Sequence, residues 1–326
     1  MCDTVHRQEN LSTRTLPCAF LIAGIAVLLA AAPASAAGRA EEKPEYDPAI
    51  AEIIAGIDES RLQHTVSALQ EIPTRAFGSG GNRAAGGYLY ARFADIPGLE
   101  VEFQGGCLNN IIATLPGNAG TSEEIVMVGA HYDSTSSDIA RAPGATDNGC
   151  GVAIVLELAR VMSEHSFDRT VRFALWNAEE DGCYGSIDYA EHAARSSIPI
   201  ALYINFDSTC YDPENRSVLD IMYDERSAGI AALMVDHNTI YATNFTLTAN
   251  NYTCESDHMS FQARGIPAVM THSDGHGPAH TPEDTIDHVS FGYAKRNAQL
   301  GLSVLVAEAG LRDADTTAIP KAPIAR

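Results

Sequence analysis

Ile125-Val126-Met127-Val128-Gly129-Ala130 runs without a polar side chain and then turns polar at His131-Tyr132-Asp133. A strand with one wet face alternates apolar and polar residues, so a short unbroken apolar run implies a strand covered on both sides. The stretch 200–206 (IALYINF) has nearly the same character and ends at Asp207. Further strands are predicted over 110–115, 171–176, 218–223 and 267–271. Apolar residues at helical spacing predict two short helices between 49 and 72, one from 82 to about 94, and others over 151–162, 185–195, 226–237 and 291–311. Strands alternating with helices argue for an α/β fold: a single-domain, doubly wound, mostly parallel (mixed) sheet with helices on both faces.

In such a sheet the loops leaving the carboxyl ends of the strands form the binding crevice. His131 and Asp133 follow the strand 125–130, Glu179 and Glu180 follow 171–176, Asp207 follows 200–206, and His280 follows 267–271 after a short loop. Asp147 precedes the helix 151–162. Taken singly, each of these residues reads equally well as a cap or a turn former. Together they are the donor set of a two-zinc site: two His, one Asp able to bridge, and two terminal carboxylates, with room left for water. Extended backbone points neighbouring side chains oppositely. Only one of Glu179 and Glu180 is therefore expected to face a given metal, which leaves the other for proton transfer.

The residues ahead of this pattern belong to targeting. After Arg7 and Arg14 comes the apolar run 19–32, then Pro33 and Ala34-Ser35-Ala36, which together read as a signal peptide over 1–36. The run is shorter than the roughly 20 residues a spanning helix needs. Export to a periplasm or the outside is the expectation, with no stable membrane anchor after cleavage. Residues 37–48 read as a flexible leader and 49–326 as the domain. Lys and Arg number 21 against 42 Asp and Glu, a net charge of −21, and such a surface repels nucleic acid and anionic membranes. Cys107, Cys150, Cys183, Cys210 and Cys254 follow the leader, an odd number whose pairing the spacings leave open. The sequons at Asn215, Asn244 and Asn251 matter only in a host that glycosylates. The glycine-rich Phe77-Gly78-Ser79-Gly80-Gly81 lacks the Lys-Ser/Thr ending of a phosphate loop and reads as a turn.

The chain resembles the exported co-catalytic di-zinc aminopeptidases. The resemblance rests on Asn110 to Gly117, Gly129-Ala130-His131-Tyr132-Asp133-Ser134, Ala145-Thr146-Asp147-Asn148-Gly149, Trp176-Asn177-Ala178-Glu179-Glu180, Asn205-Phe206-Asp207, Ser256-Asp257-His258 and His280-Thr281-Pro282-Glu283-Asp284-Thr285. It implies that His131 and Asp207 hold one Zn2+, that Glu180 and His280 hold the other, and that Asp147 bridges them. It also implies that Glu179 is the general base, that Asp133 orients His131, and that a water shared by the two ions attacks the first peptide bond of substrates with a free N-terminus. The preferred first residue and the oligomeric state stay open.

Related scaffolds supply the alternatives. A glutaminyl cyclase works with one zinc and lacks the His131 type of ligand. A carboxypeptidase-like relative needs cations to grip a carboxylate, for which Arg141 and Arg264 are available without forming a cluster. A metal-free binding ectodomain, as in the transferrin-receptor branch, would show gaps among the five ligands, and none occurs here. Where some relatives place a tyrosine before the last His ligand this chain has Ala279, with His272 and His276 as possible substitutes. Asp257-His258 reads either as support for the site or as a helix cap.

Overall fold

The computed structural model describes residues 43–250 and 256–312. The expected signal peptide, Cys254 and the sequon at Asn251 lie outside the described residues. Asp47 accepts a hydrogen bond from the Ala49 N–H and Pro48 opens α1 (Pro48–Ala55), so the expected leader 37–48 ends in a helix cap. Asp58 caps α2 (Glu59–Gln70) in the same way. Ser79 caps α3 (Gly80–Ala94) by accepting from the Asn82 N–H, and the helix therefore starts two residues before Asn82, within the glycine run. Gly81 is there because an added Cβ would lie 2.0 Å from the Thr74 carbonyl oxygen.

The remaining elements are β1 (Glu100–Gln104), β2 (Asn110–Leu115), β3 (Ile125–His131), α4 (Cys150–Met162), β4 (Thr170–Trp176), α5 (Tyr184–Arg195) and β5 (Ile200–Phe206), then β6 (Val218–Tyr223), α6 (Ala228–Ile240), β7 (Thr246–Asn250), α7 (Asp257–Gln262), β8 (Ala268–Ser273) and α8 (Phe291–Ala309). They form one mixed sheet in the order β1-β2-β4-β3-β5-β8-β6-β7. The central strands β4, β3, β5 and β8 run parallel. β2 and β6 flank them antiparallel, β1 pairs antiparallel with β2, and β7 pairs parallel with β6. The parallel character is thus confined mainly to the middle of the sheet. β1, β7 and α7 are elements the sequence reading left unassigned.

Period-two alternation explains the apolar runs. Along β3, Val126, Val128 and Ala130 enter one core with α1, α2, α4 and α8, while Ile125 and Met127 enter a second core on the opposite face. In that second core Trp176 packs against Tyr189, Tyr203 and Phe261, and its Nε1 donates to the Tyr203 hydroxyl at 2.7 Å. Gly129 permits this, since a Cβ would sit 2.9 Å from that indole nitrogen and 2.8 Å from that hydroxyl. With β3 covered on both faces, polar residues gather at its carboxyl end. In β3 and β4 the register pairs His131 with Trp176, so the two strands end level and their exits open side by side.

Candidate metal centre

Five side chains from four strand exits and one helix entrance meet at the carboxyl edge of the parallel strands. His131 is the last residue of β3, Asp207 the first after β5, and Glu180 lies in the turn after β4. Asp147 sits in the irregular segment before α4, and His280 in the loop after β8 with φ of 60°. The two oxygens of Asp147 face different imidazoles: Oδ1 is 3.2 Å from His131 Nε2, and Oδ2 is 3.1 Å from His280 Nε2. Asp207 Oδ1 completes the first group at 3.3 Å from His131 Nε2, and Glu180 Oε2 completes the second at 3.0 Å from His280 Nε2. His131, Asp147 and Asp207 thus form one triad of potential ligands, and Asp147, Glu180 and His280 the other. The first is buried, while His280 remains more than half exposed.

Glu179 and Asp133 flank these triads. Glu179 Oε2 lies 3.9 Å from His131 Nε2, beside the first triad but outside it. Glu180 reaches the second triad with Oε2 while its Oε1 accepts the Thr135 N–H at 3.1 Å. The expected division between adjacent glutamates is present, but for a different reason. β4 ends at Trp176, and the left-handed Ala178 (φ 58°) turns the chain before Glu179, so the pair sits in a turn and not in extended backbone. Asp133 accepts the backbone N–H groups of both Glu179 and Glu180 at 3.2 Å, and its Oδ1 lies 3.5 Å from His131 Nδ1. It therefore faces the ring nitrogen opposite the one turned to Asp147 and Asp207, where a metal-bound imidazole needs an acceptor.

Three supports were given no role from the sequence. Asp284 accepts the Thr146 N–H and hydroxyl through Oδ1 and the Asp147 N–H through Oδ2, which ties Asp147 to the His280 loop. The Ser256 hydroxyl donates to Asp207 Oδ2 at 2.5 Å, so this residue ahead of α7 serves the site and not the helix. Arg75, fully buried, forks to the carbonyls of Tyr132, Pro143 and Gly144. Next to it, Asn82 donates to the Arg75 carbonyl and to Asn177, two residues before Glu179.

The remaining candidates divide. Asp257 is buried at the start of α7 without a well-formed hydrogen bond among the described residues, and burial pushes its carboxyl up to about 7. It caps no helix. His272 and His276 face each other at 3.3 Å between Nε2 and Nδ1 and belong to neither triad. Arg264 is spent on Glu191 and the Ser260 carbonyl.

The electrostatics fit a pair of dications. Burial, with Asp207, Asp257 and Glu180 close by, pushes Glu179 up to about 10 against the opposing pull of His131. Hydrogen bonds to Asp147 and Glu180 raise His280 to about 10, and for Asp147 the bonds from both histidines outweigh burial and hold it below the usual carboxylate range. The carboxylates of Asp133, Asp147, Glu179, Glu180 and Asp207 each lie within 3.9 Å of one of the two imidazoles, and such a concentration of negative charge favours bound cations. Oxygen and imidazole donors around two adjacent positions are what zinc takes.

Fold and site together define an α/β protein with a candidate two-metal centre at the carboxyl edge of its sheet. Residues 110–305 match peptidase family M28, and the chain belongs to that family. It is 33% identical over 218 residues to leucine aminopeptidase 1 of Phaeosphaeria nodorum, an alignment covering 60% of this chain and 54% of that protein. The chain thus spans about half the length of the curated relatives it matches. Among solved structures, LapA aminopeptidase of Legionella pneumophila has the same fold, with a TM-score of 0.72, 20% identity, and 83% and 78% of the two chains covered. BSAP, a zinc aminopeptidase from Bacillus subtilis, is 27% identical with a TM-score of 0.54, covering 62% of this chain and 50% of that one.

Proposed function

We propose that the chain is an exported metallo-aminopeptidase that removes the first residue of peptides. The observation that carries this reading is Asp147, whose two oxygens are each aimed at a different histidine. His131, Asp147 and Asp207 would hold one zinc ion, and Asp147, Glu180 and His280 the other. When bound, the ions would supply Lewis acidity, lowering the pKa of the attacking water and offsetting charge that develops on the scissile carbonyl oxygen. Burial among carboxylates holds Glu179 protonated until cations occupy the triads; ionised by their charge, and lying outside both triads yet beside His131, it would take the proton of the attacking water at Oε2 and return one to the leaving amine. Asp133 keeps His131 in the tautomer that presents Nε2. The surplus of acidic side chains suits a substrate that enters by its cationic amino terminus.

Export is supported by the apolar leader in the sequence and by the Cys150–Cys210 disulfide, a bond that persists in oxidising compartments. Among the described residues no helix is long and apolar enough to cross a membrane. The His131 triad beside the His280 triad favours hydrolysis over the one-zinc glutaminyl cyclase reaction.

The test is zinc content together with turnover of aminoacyl chromogenic substrates, free and N-acetylated, for wild type and Glu179→Gln. Wild type should bind two zinc ions and cleave only the free substrates. The Glu179→Gln protein should keep both ions and lose at least the roughly 100-fold in kcat that follows loss of a general base. Equal cleavage of N-acetylated substrates would contradict the exopeptidase reading.

A further inference from the structure

The two triads share Asp147 but are held together by different devices. Toward His280, Asp147 is fixed by Asp284, which accepts both its N–H and the Thr146 N–H from within the loop that carries His280. Toward Asp207 no such carboxylate clamp exists among the described residues. Instead, the fully buried Cys150 and Cys210 form a disulfide. Cys150 lies three residues after Asp147 and Cys210 three residues after Asp207. The bridge therefore joins the two segments that deliver the carboxylates of the His131 triad, one entering α4 and one leaving β5.

Around the bridge the segments already touch. The Asn148 side-chain amide donates to the Phe206 carbonyl at 2.8 Å. Gly151 lies so close to the same carbonyl that a Cβ would come within 2.5 Å of its oxygen. The backbone of Cys210 is itself anchored, its carbonyl accepting the Ser290 N–H at the start of α8. These contacts set the approximate spacing of Asp147 and Asp207. A covalent link across the same seam removes the sliding they leave free, and two ligands held at fixed separation lose less freedom when an ion binds.

We propose that the Cys150–Cys210 bridge is a positioning element of the metal centre: it fixes Asp147 relative to Asp207 and so raises the zinc affinity of the His131–Asp147–Asp207 position over that of the Asp147–Glu180–His280 position. This rests on the two-zinc reading above. A bond that merely stabilised the fold would leave both affinities alone wherever the protein remains folded.

The experiment compares wild type with Cys150→Ala/Cys210→Ala and with Cys150→Ala/Cys210→Val, which refills part of the lost volume. Zinc affinities of the zinc-free proteins are measured by chelator competition, and far-ultraviolet circular dichroism confirms that each is folded. One binding step should match wild type, and the other should weaken by about 10- to 100-fold, the range typical when an outer support of a metal ligand is lost. Zinc-edge anomalous peaks from crystals at limiting zinc should fade first beside Asp207 and last beside Glu180. Unchanged affinities with only a lowered melting temperature overturn the proposal, as do equal losses at both steps or failure of both variants to fold, each marking the bridge as a general staple. Wild type that binds fewer than two zinc ions overturns the proposed function and this inference with it.

Discussion

Asp133 has two duties at the exit of β3, and they cannot both survive the loss of one oxygen. As a carboxylate it accepts from the backbone of Glu179 and Glu180 and still faces His131 Nδ1. Asparagine offers a single acceptor oxygen, so Asp133→Asn must release one glutamate N–H whichever way its amide turns, and one of the two ways also presents NH2 to the ring. Zinc affinity measured by chelator competition should fall by about 10- to 100-fold, and unchanged affinity would remove Asp133 from the site. Four of the proposed ligands, His131, Glu180, Asp207 and His280, stood out as candidates because they follow the ends of apolar strands, and Asp147 because it precedes a helix within a matched stretch. The roles of Arg75, Asp284 and Ser256 were not legible, although Ser256 and Asp284 fall within matched stretches: each acquires its role from which loop it packs against, and residue type alone does not announce that. The geometry of Glu179 and Glu180 was misread for a related reason, since a left-handed alanine that ends a strand leaves no signature in composition.

Among the elements, α6 and α8 are joined by a buried polar contact in which His237 Nδ1 lies 2.9 Å from the Ser303 hydroxyl. Burial lowers His237 to about 4 from its ordinary 6.5. Between these values the unfolded chain binds a proton that the folded chain does not, so this contribution is fully present above 6.5 and is lost as pH falls toward 4. The loss amounts to roughly 3 kcal/mol. Urea unfolding from pH 7 to pH 4 should show wild type losing that much more stability than His237→Gln, and parallel pH profiles would contradict it. Long buried elements such as β3, β5 and α4 were readable from periodicity, whereas β1 and β7 were not. EVEFQ and TLTAN are edge strands, mostly exposed, with only one neighbour and too few apolar residues to mark an inner face. α7 spans six residues, too short for a helical period to emerge.

For the whole molecule, the net charge of −21 acts at a distance. A substrate with a cationic amino terminus is drawn toward an acidic surface, and salt screens that attraction over a Debye length that shrinks from about 30 Å at 0.01 M to about 8 Å at 0.15 M. Raising ionic strength across this range should lower kcat/KM for unblocked substrates while kcat holds, and a flat kcat/KM would show that steering plays no part. The fold supplies the rest of the account: central strands covered on both faces leave their carboxyl edge as the place where His131, Asp147, Glu180, Asp207 and His280 converge. The most direct measurement is zinc-edge anomalous diffraction from crystals of the zinc-loaded chain. Two peaks are predicted, one among His131, Asp147 and Asp207 and one among Asp147, Glu180 and His280, each touching a different oxygen of Asp147. A single peak, or two peaks of which neither touches Asp147, would contradict the account.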